Sequence, residues 1–205
     1  MTAGRSEVGR AAPAGYALSF AAGWCPVDPD PDTAPAAVAA LVRRMPEFAP
    51  HAGYLAQVLA AGCVQGDAAR AEIVALVAAP LADRCPAGMM FVRIGPNPYA
   101  DLEEALADAE RDLGGRRIDG IAEADVVSLA SGLPAVRVHR LREAPGADGT
   151  EPVRVLESLG YLIPAPGGEL MALLEFATAE LDVGELLVLA ADVVAGSFEW
   201  KEAVA

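Results

Sequence analysis

The chain has 205 residues, 29 acidic side chains against 15 basic ones, and a net charge of −14. That length suits one domain large enough to bury its own core, and such acidity repels phosphate backbones and anionic lipid heads, so DNA, RNA and membrane surfaces are poor partners. The mean hydropathy of +0.33 comes largely from alanine, and no stretch reaches the ~18 uninterrupted apolar residues that a bilayer crossing needs.

At the N-terminus, Arg5, Glu7 and Arg10 stand where a secretory signal places its apolar stretch. The reading is therefore a cytoplasmic protein, with residues 1–14 as a disordered leader of small residues and 15–205 as one domain. Tyr16, Leu18 and Phe20 alternate onto one face and predict a first strand, which Gly23-Trp24 ends. The proline- and aspartate-rich stretch Pro26–Pro35 then extends or turns. Thr33 is placed to cap a helix with Pro35 in its first turn, running through Val38, Leu41, Val42 and Met45 until Pro46.

A second helix is predicted from about Pro50 to Gly66, with Tyr54, Leu55, Val58, Leu59 and Gly62 as its apolar stripe. Its other faces are rich in small residues, with Gln57 and Gln65 as amides and no formal charge between His51 and Gly66, which describes either a covered helix or a contact surface. Strands follow at Ala71–Ala79 and Met89–Ile94, then an amphipathic acidic helix from Tyr99 to Leu113 that Gly114-Gly115 stops. Ala124–Ala130 and Leu133–Arg142 read as a hairpin turning at Ser131-Gly132, and Ala144–Thr150 as a loop. Two further strands flank Pro164–Gly168, and an apolar helix closes on Phe198 and Trp200. This ending predicts a buried helix laid across an antiparallel sheet. No internal repeat and no interdomain linker is visible.

No residue set carries a recognisable chemistry. Cys25, Cys63, Cys85 and His51 are the right types for zinc but lack short paired spacing, so buried free thiols are the reading. Cys25 with His139 as a nucleophile pair has nothing in sequence to join it, and Asp28, Asp30 and Asp32 follow the thiol where a thiolate needs positive charge. Those three aspartates lack the glycine and distal glutamate of a calcium loop and read as a structured turn. Glu103 and Glu104 are adjacent on a helix and diverge, which describes a solvated face. Gly114-Gly115-Arg116-Arg117 follows a helix, whereas a phosphate cradle opens one. Trp24 and Trp200 read as plugs at the edge of a core. No catalytic, metal or cofactor site is expected.

The opening YALSFAAGW and the closing LLEFATAELDVGELLVLAADVVAGSFEW resemble the first strand and terminal strand–turn–helix of the Mog1/PsbP-like superfamily, in particular its actinobacterial members. The resemblance spans about residues 16–201. It implies an α+β fold: an α/β/α sandwich with a curved, mainly antiparallel sheet, helices on both faces and a helical insertion after the first strand. Members of the wider fold dock onto a small GTPase or a photosystem, or serve as envelope lipoproteins. No site residue is carried over, and the lipoprotein signal is missing here. A fold analogy by itself assigns no activity.

The expected function is a non-enzymatic accessory or protein-interaction module docking to a protein partner. Gly53, Ala56, Gln57 and Ala60 on the second helix form the candidate partner surface. The alternative is a small-ligand binder or enzyme with a pocket under the 34–66 insertion, drawing on His51, Cys63 or His139. A homo-oligomer is a third possibility.

Overall fold

The computed structural model describes residues 13–81, 83–114, 122–144 and 154–202. The leader up to residue 12, the stretch 115–117 and most of the 144–150 loop lie outside these residues. The described chain is a mixed α+β protein built on one open sheet of seven strands, ordered β2-β3-β4-β8-β7-β6-β5. These strands are β2 Trp24–Val27, β3 Ile73–Ala78, β4 Ala87–Pro96, β5 Ala122–Ser128, β6 Pro134–Ala144, β7 Arg154–Pro164 and β8 Leu170–Thr178. Every neighbouring pair is antiparallel.

Strand burial follows what covers each face. Along β8, Ala172, Leu174, Phe176 and Thr178 are buried while the residues between them are half-buried, the period-2 pattern of a sheet better covered on one side. Along β3, five consecutive residues from Val74 to Ala78 are buried, because both faces are covered there. Ala75 and Val77 join one apolar cluster, and Val74 and Leu76 join another on the opposite face.

Four helices supply the covers among the described residues. Helices α1 (Ala34–Arg44) and α2 (Ala52–Ala68) pack together over β2, β3 and β4. Helix α4 (Gly184–Gly196) lies over β4, β7 and β8 on the other face. Helix α3 (Leu102–Asp112) rests on β5 and β6, on the α1–α2 side: it shares a cleft with Val138 and Arg140, whereas Arg137 bonds to Asp192 of α4. A two-stranded ribbon of β1 (Pro13–Ala17) and β9 (Glu199–Glu202) joins the chain's two ends. Tyr16 stacks on Phe198, and Trp200 meets Phe198 edge-on, so the ribbon packs into the α4-side cluster.

Several expectations are corrected. The first strand is Pro13–Ala17, reaching into the predicted leader, and Leu18–Phe20 lies beyond its end. Trp24 opens a strand, and Pro26 is tolerated in it because β2 is a sheet edge where a ladder donor is dispensable. The helical insertion therefore follows the second strand. Thr33 makes no side-chain cap: a 3-10 turn over Pro31–Thr33 already holds it in helical geometry, and its hydroxyl donates to the Asp30 carbonyl. The second helix starts at Ala52 after a further 3-10 turn, with Tyr54 exposed. The third starts at Leu102, because Asp101 caps the Glu104 amide while the Glu104 carboxylate accepts from Ala100.

Candidate functional site

Helix α4 is apolar nearly all round, yet a helix against a sheet needs only one apolar stripe. Leu187, Val188, Ala191, Val194 and Ala195 face the sheet and are buried. Leu186, Leu189 and Val193 point outward and are 57%, 55% and 67% exposed. Their spacing puts them in one row, since residues three and four apart are neighbours on a helix surface.

The later part of the row borders an open groove of about 520 Å3 running between α4 and the β5 end of the sheet. Leu189 and Val193 line one side, and Val127 and Leu129 line the other. Its base is polar and fully engaged. Arg137 grips Asp192 with two hydrogen bonds, Nε to Oδ1 at 3.0 Å and Nη2 to Oδ2 at 3.2 Å, and Nε also donates to the Tyr161 hydroxyl at 3.1 Å. Tyr161 in turn donates to Asp192. The three groups tie α4 to the sheet. Outside the lining, Asp125 stands opposite Arg137 on β5, Glu185 is exposed in the first turn of α4, and α4 carries no basic residue.

At the other end of the groove's face, His139 Nε2 lies 2.8 Å from Glu157 Oε1. The Glu157 carboxylate sits against the start of α4 at Gly184, where any Cβ would overlap it, so a negative charge meets the helix's positive end.

The residues singled out in sequence disperse. Cys25 belongs to the α1–α2 side and His139 to the α4 side, so they form no dyad. Cys25, Cys63 and Cys85 are free and buried, and burial pushes all three thiols up from 9.0. Asp30 caps the Pro31–Thr33 turn. Among the described residues, no group of three or more His, Cys, Asp and Glu is placed to hold a metal ion. No described helix is long and apolar enough to cross a membrane. Trp24 is buried against Phe20 and Phe176, and Trp200 donates to the Pro164 carbonyl, so both tryptophans are core plugs. On α2, Gly53 and Gln57 are exposed, while Ala56 and Ala60 are half-buried against the α1–α2 cluster. The clefts described here take no lining residue from 34–66.

Burial drives two tyrosines far above their ordinary 10.0: Tyr16, with Glu72 adding to the effect, and Tyr161, with Asp192 adding to it. Both folded-state values are raised, so the folded protein keeps protons that the unfolded chain releases. Stability is fully present below about pH 8, where thiols and phenols are protonated in both states, and falls as pH rises through 9 and 10. Each raised tyrosine contributes a slope of at most about 1.4 kcal/mol per pH unit above 10, and half-buried Tyr16 less than Tyr161. Urea titrations from pH 8 to 11 should show this decline, and Tyr16→Phe should remove up to one proton's worth of slope. An unchanged slope would mean that Tyr16 titrates normally.

No protein-family model matches the chain, and no curated protein matches it. Among solved structures, a protein from Bacteroides thetaiotaomicron VPI-5482, determined at 1.50 Å, is similar at 14% identity with a TM-score of 0.33. The likeness covers 63% of this chain and 39% of that one, so this chain spans well under half of that neighbour's length.

Proposed function

We propose that this protein is a non-enzymatic docking module, and that the outer side of α4 with its groove receives a basic, amphipathic helix of another protein. The exposed row Leu186, Leu189 and Val193 carries the reading. Apolar residues at i, i+3 and i+7 are the pattern by which a helix meets a partner helix laid in a groove. Covering three half-exposed aliphatic side chains contributes on the order of 2–4 kcal/mol.

Charge selects the occupant. With a net −14 and an exposed Glu185 beside Leu186, a second copy of this chain meets like charge, while lysine or arginine flanking an apolar row meets opposite charge. The resemblance to Mog1/PsbP-like proteins supports docking as the mode of action, and an α/β/α sandwich of that type accommodates the helix placement. The α2 quartet Gly53, Ala56, Gln57 and Ala60 offers less apolar area, being a glycine, an amide and two half-buried alanines.

Titrating the isotope-labelled protein with a 14-residue leucine/lysine amphipathic helix tests this. Amide shifts should concentrate at Val127, Leu189 and Val193. Val193→Asp should weaken binding at least tenfold without moving the thermal melt, because the side chain is exposed. Equal binding of a leucine/glutamate peptide, shifts confined to α2, or a dimer that Val193→Asp dissociates would each overturn the proposal.

A further inference from the structure

The opposite face carries a second concavity, independent of the α4 groove. It is a cleft of about 180 Å3 between α3 and strands β6, β7 and β8. Its floor centres on Gly160, where an added Cβ would meet only the Val138 carbonyl at 4.0 Å. Packing therefore does not demand glycine there; the bare floor leaves space. Leu162 and Leu173 supply apolar walls.

The head of the cleft carries two arginines, in a chain that is otherwise strongly acidic. Arg140 and Arg142 occupy alternate positions of β6 and so project to the same face. Arg142 makes no ion pair with any described residue. Arg140 reaches Asp112 through a single 3.3 Å contact, and Asp112 is 76% exposed, so water screens that pair and another carboxylate can replace it. Arg93 flanks the same face, bound to Glu175, with its Nε buried and lacking a partner. The three carboxylates that line the cleft are each engaged, Asp108 by Arg111, Asp112 by Arg140 and Glu175 by Arg93, which leaves Arg142 as the lining charge without an ion-pair partner among the described residues.

We infer that this cleft binds a small organic carboxylate. Its headgroup displaces Asp112 from Arg140 and gains Arg142, since a guanidinium fork matches a carboxylate. Its short apolar body lies over Gly160 between Leu162 and Leu173. At about 30 Å3 per water-sized group, the space holds a body of about six heavy atoms. Asp112 acts as an internal competitor for the site.

Amide-shift titrations with hexanoate, hexyl phosphate and hexanol test it. Hexanoate should give saturable shifts at Gly160, Leu162 and Arg142 below 10 mM, and hexanol should give none. Asp112→Asn should tighten hexanoate binding several-fold, an effect that a purely structural aspartate would not produce. Arg142→Gln should weaken it about tenfold, and Gly160→Val should abolish it. Hexanol binding as well as hexanoate, hexyl phosphate binding better, no saturation with the wild-type chain, or an unmoved affinity in Asp112→Asn would each overturn the assignment. The last variant lies on the exposed side of α3, so the test stands even where Gly160→Val disturbs the fold.

Discussion

Gly88→Ala should lower the unfolding free energy by about 3 kcal/mol and the melting temperature by about 6–12 °C. Gly88 is the second residue of β4, opposite Thr178, and a Cβ there would overlap the ring of Phe176. That ring has nowhere to go. It is 1% exposed and meets Trp24 edge-on within the α4-side cluster. Adding one methyl forces the ring off its rotamer or spreads β4 from β8, and tightly packed interiors resist both. Gly62→Ala on α2 is the control. Its Cβ would overlap only the terminal methyl of Met89, a flexible side chain that swings aside, and alanine favours the helix by about 1 kcal/mol. Its net effect should stay within about 1 kcal/mol. Urea denaturation of both variants checks the contrast. A Gly88→Ala protein melting within 2 °C of wild type would show that the face tolerates rearrangement.

Arg137→Ala should cost about 2–3 kcal/mol, more than any surface ion pair of this protein. The side chains of Arg137 and Asp192 are 24% and 29% exposed, so water reaches them only in part. Removing the guanidinium strands the Asp192 carboxylate beside a buried tyrosine and cuts the polar tie between α4 and β6. The figure lies below the 3–5 kcal/mol of a fully buried pair because of that partial exposure. Arg137→Lys should recover less than half, since an ammonium cannot reproduce the two-bond fork onto Asp192 while also reaching Tyr161. A double-mutant cycle with Asp192→Ala isolates the pair, with an expected coupling of at least 1.5 kcal/mol. Coupling under 0.5 kcal/mol would show the network to be solvent-screened, and the groove's base would then lose its rigid polar floor.

Local pattern carried much of this fold. The run at 133–142, the acidic amphipathic helix and the turn at Ser131-Gly132 emerge in the structure within a few residues of their predicted bounds, and two strands flank Pro164–Gly168 as expected. Strand β2 was hidden because Pro26 and the aspartates beyond it read as turn chemistry, and only the partner β3 makes an edge strand of Trp24–Val27. The β1–β9 ribbon pairs residues nearly two hundred positions apart, and no local periodicity reports such a pairing.

The candidate sites were legible to different degrees. Residues 184–196 contain more large aliphatic residues than one buried stripe requires, and that surplus was a visible sign of an exposed apolar row. Which of them face outward depended on the sheet that claims the rest. The Arg137–Asp192–Tyr161 network had no local signature, because its members sit on three elements joined only by tertiary packing. The same holds for Gly160 beneath Arg140 and Arg142.

From the amino acids alone followed the acidity, the alternation that makes strands, and the terminal helix that must bury one side, because each is a property of composition or of neighbours along the chain. Only the assembled sheet decided which helix side stays uncovered and which arginines gather over a glycine. Those depend on strand order, and strand order is set by contacts between residues far apart in sequence.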